Sequence, residues 1–170
     1  MHAKDARTWL FNSLKTRTLI SGKSTEDFFD QYGQAHYSLS CGQVCLFSIP
    51  DHNAKWHIYT LLRELDPQKD GQYLSLALAL NLECLASSQA RIGLNLESNQ
   101  LLLQTVEELN NPSLDPDSVL TTFSYLYDKV MYELSSLDLS LDKANQVETL
   151  RANNSSYHAF QLQQSIEGIR

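Results

Sequence analysis

Apolar positions along the chain recur at helical spacing, then every second residue, and this cycle runs twice before a final helical stretch. Ser24-Thr25-Glu26-Asp27 ahead of Phe28-Phe29 is a capping-box pattern, and it predicts a short helix to about Gln34 that buries Phe28, Phe29 and Tyr32. From Gly42 the period becomes two. Val44 to Ile49 reads as a strand stopped by Pro50-Asp51-His52-Asn53, and Lys55 to Leu62 as its hairpin partner. In that second strand Trp56, Ile58, Thr60 and Leu62 share one face, with Lys55, His57 and Tyr59 on the other.

Asp70 is the predicted N-cap of a helix from about Gln72 to Ser87. Its leucines spread around most of the circumference, leaving only a narrow polar stripe near Gln72 and Glu83. A helix apolar nearly all round is buried on more than one side, and in a chain this short a second copy of itself is the expected cover. Asn81 lies within that apolar surface. It either fixes the register of pairing or bonds within its own monomer. Ala90 to Glu97 alternates cleanly as a strand, Ser98-Asn99 turns, and Leu101 to Val106 returns. Asp115-Pro116-Asp117 then opens a helix whose apolar positions keep spacing from Val119 to Leu137. Beyond Ser140 the pattern thins into a polar tail, with a marginal helix around Tyr157 to Ile166. Antiparallel hairpins with helices between them predict an α+β fold with three main helices. The expected divisions are a basic extension over 1–23, a domain over 24–138 and a polar, mobile tail over 139–170.

Composition narrows the class. The 170 residues hold 42% hydrophobic and 19% charged side chains, with a net charge of -7. One globular domain is expected, and the acidity argues against a nucleic-acid binder. The charge is uneven: residues 1–23 carry five bases against one acid, and the remainder eight bases against nineteen acids. The basic stretch reads as a helix with a solvated basic face; a cleavable targeting segment and a contact with an acidic partner are the alternatives. Three irregularly spaced cysteines suit a reducing cytoplasm. No apolar run has membrane-spanning length.

Candidate chemistry is sparse. The five histidines have no metal-ligand spacing, so no metal and no cofactor is expected. Cys45 and His57 are the sharpest catalytic possibility, if the hairpin sets them opposite each other. The apolar run around Cys45 disfavours a thiolate, and ordinary packing is the reading preferred. No P-loop, dinucleotide fingerprint or nucleophile elbow is present, so a non-enzymatic binding protein is expected.

The stretch from Gln43 to about Leu137 resembles the class I type III secretion chaperones of the CesT/SycE-like, Tir chaperone family. The likeness rests on Leu78-Ala79-Leu80-Asn81-Leu82, Arg91-Ile92-Gly93-Leu94-Asn95, Leu101-Leu102-Leu103, and Leu114-Asp115-Pro116-Asp117-Ser118-Val119-Leu120. Upstream, Cys45-Leu46-Phe47-Ser48-Ile49-Pro50-Asp51 is similar to the family's first strand. The resemblance implies a homodimer joined through the central helix and the alternating strand, with Leu74, Leu78, Asn81, Leu82, Leu85, Ile92 and Leu94 at the interface. It implies ATP-independent binding of the N-terminal segment of a secreted effector, which is held extended and secretion-competent, and the secretion ATPase as a further partner. Phe28, Phe29, Tyr32, Leu46, Trp56 and Ile58 are the implied effector-binding positions. Alternatives are a regulatory or sensory binding module similar to YbjN proteins, a small Cys45-dependent enzyme and an unrelated adaptor.

Overall fold

The computed structural model describes residues 2–15, 24–39, 42–52, 55–66, 68–83, 85–86 and 88–167, with side chains to residue 146. The elements are α1 (Ala3–Leu14), α2 (Thr25–Phe28), β1 (Gln34–Ser38), β2 (Val44–Ser48), β3 (Lys55–Glu64), α3 (Gly71–Glu83), β4 (Arg91–Asn95), β5 (Gln100–Glu108) and α4 (Pro116–Glu167). The strands form one antiparallel sheet in the order β1-β2-β3-β5-β4, as an α+β fold. The chain divides into a unit through Met131, which holds the sheet, and a unit from Tyr132 onward made by the rest of α4.

Alternation gives the sheet two unequal faces. The inner face carries Ala35 and Tyr37, Cys45 and Phe47, Trp56, Ile58, Thr60 and Leu62, and Leu101, Leu103 and Thr105, all buried. Aromatic pairs organise it: Tyr37 stacks on Phe47 at 4.9 Å, and Phe47 meets Trp56 edge-on at 5.1 Å. Thr60, the buried hydroxyl at the centre, donates to the Val44 carbonyl and accepts from the Gln43 side chain, which in turn accepts from Tyr127 of α4 at 2.9 Å. Leu120, Phe123, Leu126 and Val130 bury the apolar stripe of that helix.

The capping box forms as predicted, with the Ser24 side chain accepting from the Asp27 N–H and the Asp27 carboxylate accepting from the Ser24 N–H. The helix then stops at Phe28, six residues short of the expected Gln34. Asp30 ends it: its carboxylate takes the N–H groups of Tyr32 and Gln34, turning the chain into β1. Tyr32 is consequently exposed and not in the core. Strand β1 itself was not expected from its mostly polar sequence. Asp70 departs too, its carboxylate turning back to the N–H of Asp66. At the start of α4, Asp115 caps as predicted, accepting from Asp117 and Ser118. The backbone of α4 continues to Glu167, past the expected end near Leu137. No Pro or Gly interrupts 117–167, and fading apolar periodicity is not a stop signal.

Helix α1 packs Ala6, Leu10, Phe11 and Leu14 inward, with the Phe11 ring 5.6 Å from that of Phe28. Arg7 leaves the solvated basic face: its side chain is only 14% exposed and donates to the Ile49 carbonyl and to Asp51 at 2.6 Å. Of the other four leader bases, Arg17 and Lys23 lie outside the described residues. Gly33 makes this latch possible. It adopts φ +76°, and a Cβ there would collide with the Arg7 guanidinium and the Ile49 carbonyl.

Two glycines separate sterics from backbone strain. Gly42 has φ +85° but open space around it, so Gly42→Ala should cost about 1 kcal/mol, whereas Gly33→Ala should cost about 2 kcal/mol or more. Urea denaturation of both variants checks this. Equal costs would mean that the Arg7 latch tolerates the methyl group.

Candidate binding surfaces

The outer face of the sheet is uncovered within the described unit. Its positions are the other half of each alternating strand: His36 on β1, Val44 and Leu46 on β2, His57, Tyr59 and Leu61 on β3, and Leu102 on β5. Val44 and Leu61 are exposed, and the rest, His36 apart, are half-buried. A trough of about 460 Å³ runs across this face, from His36 on one edge strand to Asn95 on the other. Its walls combine apolar side chains with the uncharged amides of Asn95 and Gln100 and the ring of Tyr59. No acid or lysine lines it. Such a surface selects apolar side chains and backbone, not charge.

His57 and Tyr59 form a polar pair beside the trough. The Tyr59 hydroxyl is 3.2 Å from His57 Nδ1, and the rings lie nearly parallel with centroids 6.1 Å apart. Burial first, then Lys55 and His52, lowers the His57 pKa from 6.5 and keeps the ring neutral. Burial also raises the Tyr59 hydroxyl, so it stays protonated. The other ring nitrogen, Nε2, is buried and has no hydrogen-bond partner among the described residues.

A second surface lies on α3 and the edge strand β4. Tyr73, Ala77 and Leu80 turn inward, while Leu78 and Leu82 are 66% and 78% exposed and Leu74 is half-buried. Leu94 and Leu96 are also exposed. Asn81 joins helix to strand within the chain. Its amide donates to the Ile92 carbonyl at 2.9 Å and accepts the Ile92 N–H at 2.8 Å. Those two groups point away from β5, so strand alternation turns the Leu94 backbone toward the same open edge.

The predicted residues distribute unevenly over these surfaces. Of the six effector-binding positions, only Leu46 lines the trough. Trp56 and Ile58 share one face as expected, but it is the buried face, and Phe28 and Phe29 are also core. Tyr32 is exposed outside the trough's lining. Among the interface positions, Leu85 and Ile92 are buried by the chain's own fold, and the Asn81 amide bonds within the chain, to Ile92. Leu78, Leu82 and Leu94 remain open to solvent. Cys45 and His57 do not meet: His57 pairs with Ser48, and Cys45 is fully buried on the opposite face. Among the described residues no cluster of three metal-ligating side chains occurs. The missed trough residues Val44, Tyr59, Leu61 and Leu102 were visible as the alternate set of the same strands.

The sequence model of the Tir chaperone protein (CesT) family matches residues 26–130. The chain belongs to the CesT family. It is a type III secretion chaperone. No curated protein matches it in sequence. Solved structures that resemble it include the crystal structure of the ExsC–ExsE complex, at 12% identity and TM-score 0.55, covering 78% of this chain and 92% of that one, and the HopA1–SchA chaperone–effector complex, at 14% identity and TM-score 0.47, covering 75% and 88%. At such identity the likeness to the ExsC–ExsE structure is one of fold. The family match takes in α2, the whole sheet, α3 and the first turns of α4, so both surfaces of this CesT-family chain lie within it. Among the described residues no helix is long and apolar enough to cross a membrane.

The buried imidazole makes stability depend on pH. Because folding lowers the His57 pKa below 6.5, the unfolded chain binds the extra proton first. Stability is therefore full above 6.5 and declines as pH falls toward the folded-state value. Urea denaturation at about pH 7.5 and about pH 5.5 should show this decline, and His57→Gln should flatten it. An unchanged slope in the variant would remove His57 as its source.

Proposed function

We propose that this chaperone acts without ATP, holding the N-terminal segment of an effector in an extended form across the outer trough of the sheet. The observation that carries this reading is the solvent-open apolar trough on a fully formed sheet, in a chain of the CesT family. An extended segment presents alternate side chains to such a surface, so Val44, Leu46, Leu61 and Leu102 would receive every second residue. Binding must offset the ordering entropy of a disordered chain, which requires a long wrapped contact.

A homodimer supplies that length. In this reading the exposed side of α3 and the edge of β4 pack against the same elements of a second copy, with Leu78, Leu82 and Leu94 at its centre and Leu74 beside them. The binding domain is then residues 24–138 with α1 docked to it, and residues 139–170 form the tail. Residence in the bacterial cytoplasm and a contact with the secretion ATPase belong to the same proposal. The ExsC–ExsE structure, a complex, is a precedent for partner binding on this fold.

Co-expression with candidate effectors, followed by pull-down and light scattering, tests both surfaces. Leu46→Asp combined with Leu61→Asp should abolish effector capture while the chain stays folded and associated. Leu78→Asp combined with Leu82→Asp should give a folded monomer, by circular dichroism and light scattering. Undiminished capture by the first variant would refute the trough, and an intact dimer in the second would misplace the interface.

A further inference from the structure

A second cavity, on the inner side of the sheet, is not used by either surface. It has a volume of about 270 Å³ and lies between the end of β5, the approach to β4 and the first turns of α4. Glu107 is its one charged lining residue. The alternation that buries Thr105 also turns Glu107 toward the inner side, directly across from Trp56. The carboxylate is half-buried, and the Thr105 hydroxyl, 3.4 Å from Oε1, is the one hydrogen-bond donor it has among the described residues.

The nearby cations are committed elsewhere. Lys55 pairs with Glu108 at 2.8 Å, and the Arg91 guanidinium donates to the carbonyls of Leu85, Ser88 and Ala90. Burial accordingly raises the Glu107 carboxyl from its ordinary 4.5. A carboxylate can accept about four hydrogen bonds, so the protein fills only part of this group's capacity and water the rest. Partial burial has removed some of that water and given a single protein donor in return.

We propose that this cavity binds one long cationic side chain, a lysine or an arginine, of a polypeptide held by the chaperone. The volume falls below the roughly 300–1,000 Å³ of pockets that enclose whole small molecules, and suits a single extended side chain. Val119 and Phe123 provide an apolar wall for the stem, while the Ser118 and Thr122 hydroxyls can accept from the head group. Glu107 supplies the opposite charge through a charge-assisted hydrogen bond. The net charge of -7 favours the approach of a basic segment. The identity of the partner as a polypeptide rests on the effector-binding reading; the chemistry of the cavity does not.

The test uses the full chain and defined probes. Two-dimensional ¹H–¹⁵N spectra are recorded during titration with Nα-acetyl-arginine amide and, separately, with its neutral isostere Nα-acetyl-citrulline amide. Saturable shifts should centre on the Thr105, Glu107, Ser118 and Thr122 amides, with the arginine probe bound about tenfold more tightly, as expected of a half-buried charge pair. Glu107→Gln should abolish that preference. Equal affinity for the two probes, shifts centred elsewhere, or a preference retained in Glu107→Gln would each overturn the proposal. The comparison of probes on the unaltered chain needs no variant, so it decides even if Glu107→Gln folds poorly. Failure here would leave effector capture through Leu46 and Leu61 untouched, whereas an arginine preference in a chain that captures no effector would support the cavity and fault the chaperone reading.

Discussion

A sheet with its core on one face only is the constraint from which the other features follow. Phe47, Trp56, Ile58 and Leu103 are fully buried on the inner face, and their side chains remove enough apolar surface from water to hold five strands in register. Because side chains alternate, each inner residue fixes the exposure of its neighbour. Burying Cys45 turns Val44 and Leu46 outward; burying Ile58 and Thr60 turns Tyr59 and Leu61 outward. The trough is thus an unavoidable consequence of the core, and the apolar residues in it are what distinguish this sheet from one whose second face is merely solvated.

The edge of the sheet shows a similar division of labour. Asn81 occupies both outward backbone groups of Ile92, so one pleat of β4 is closed to further pairing and α3 is fixed beside it. The next pleat is not closed in this way, and the leucines on the free side of α3 stand at the same end. The amide thereby fixes the face of the chain on which Leu78 and Leu82 stand exposed.

The parts of the fold legible in the sequence are those with local causes. The capping box at Ser24, the Asp115 cap, the turn at Asn99 with φ +52° and both hairpins each depend on a few neighbouring residues. The period of two in β3 was equally plain, and it sorted Trp56 with Ile58. Periodicity cannot say which of two faces meets the helices, and so the positions assigned to the groove fell mostly in the core. Strand β1 was hidden for another reason: only Ala35 and Tyr37 carry its inward pattern, between polar residues. Its place depends on Asp30 and on the Ile49 N–H bonded to Gly33, partners supplied by the turn before it and the strand beyond it. The Arg7 latch is likewise non-local, joining positions more than forty residues apart.

The distribution of charge then takes on a physical role. A protein that keeps an apolar trough and an apolar helix face in water needs other means of staying dispersed, and net negative charge provides mutual repulsion between copies. That repulsion would oppose binding if the acids stood in the trough, since burying them beneath a segment would cost desolvation. They do not: no acid lines the trough, and burial lowers the pKa of His57 beside it. Glu107 is the instructive exception, an acid drawn partly out of water at the inner side of the sheet. Surface acids such as Glu108, paired with Lys55, keep most of their hydration and gain little from partners. A half-enclosed carboxylate has more to gain from a cation than these surface acids, and that difference, not the total charge, decides where a basic residue is recognised.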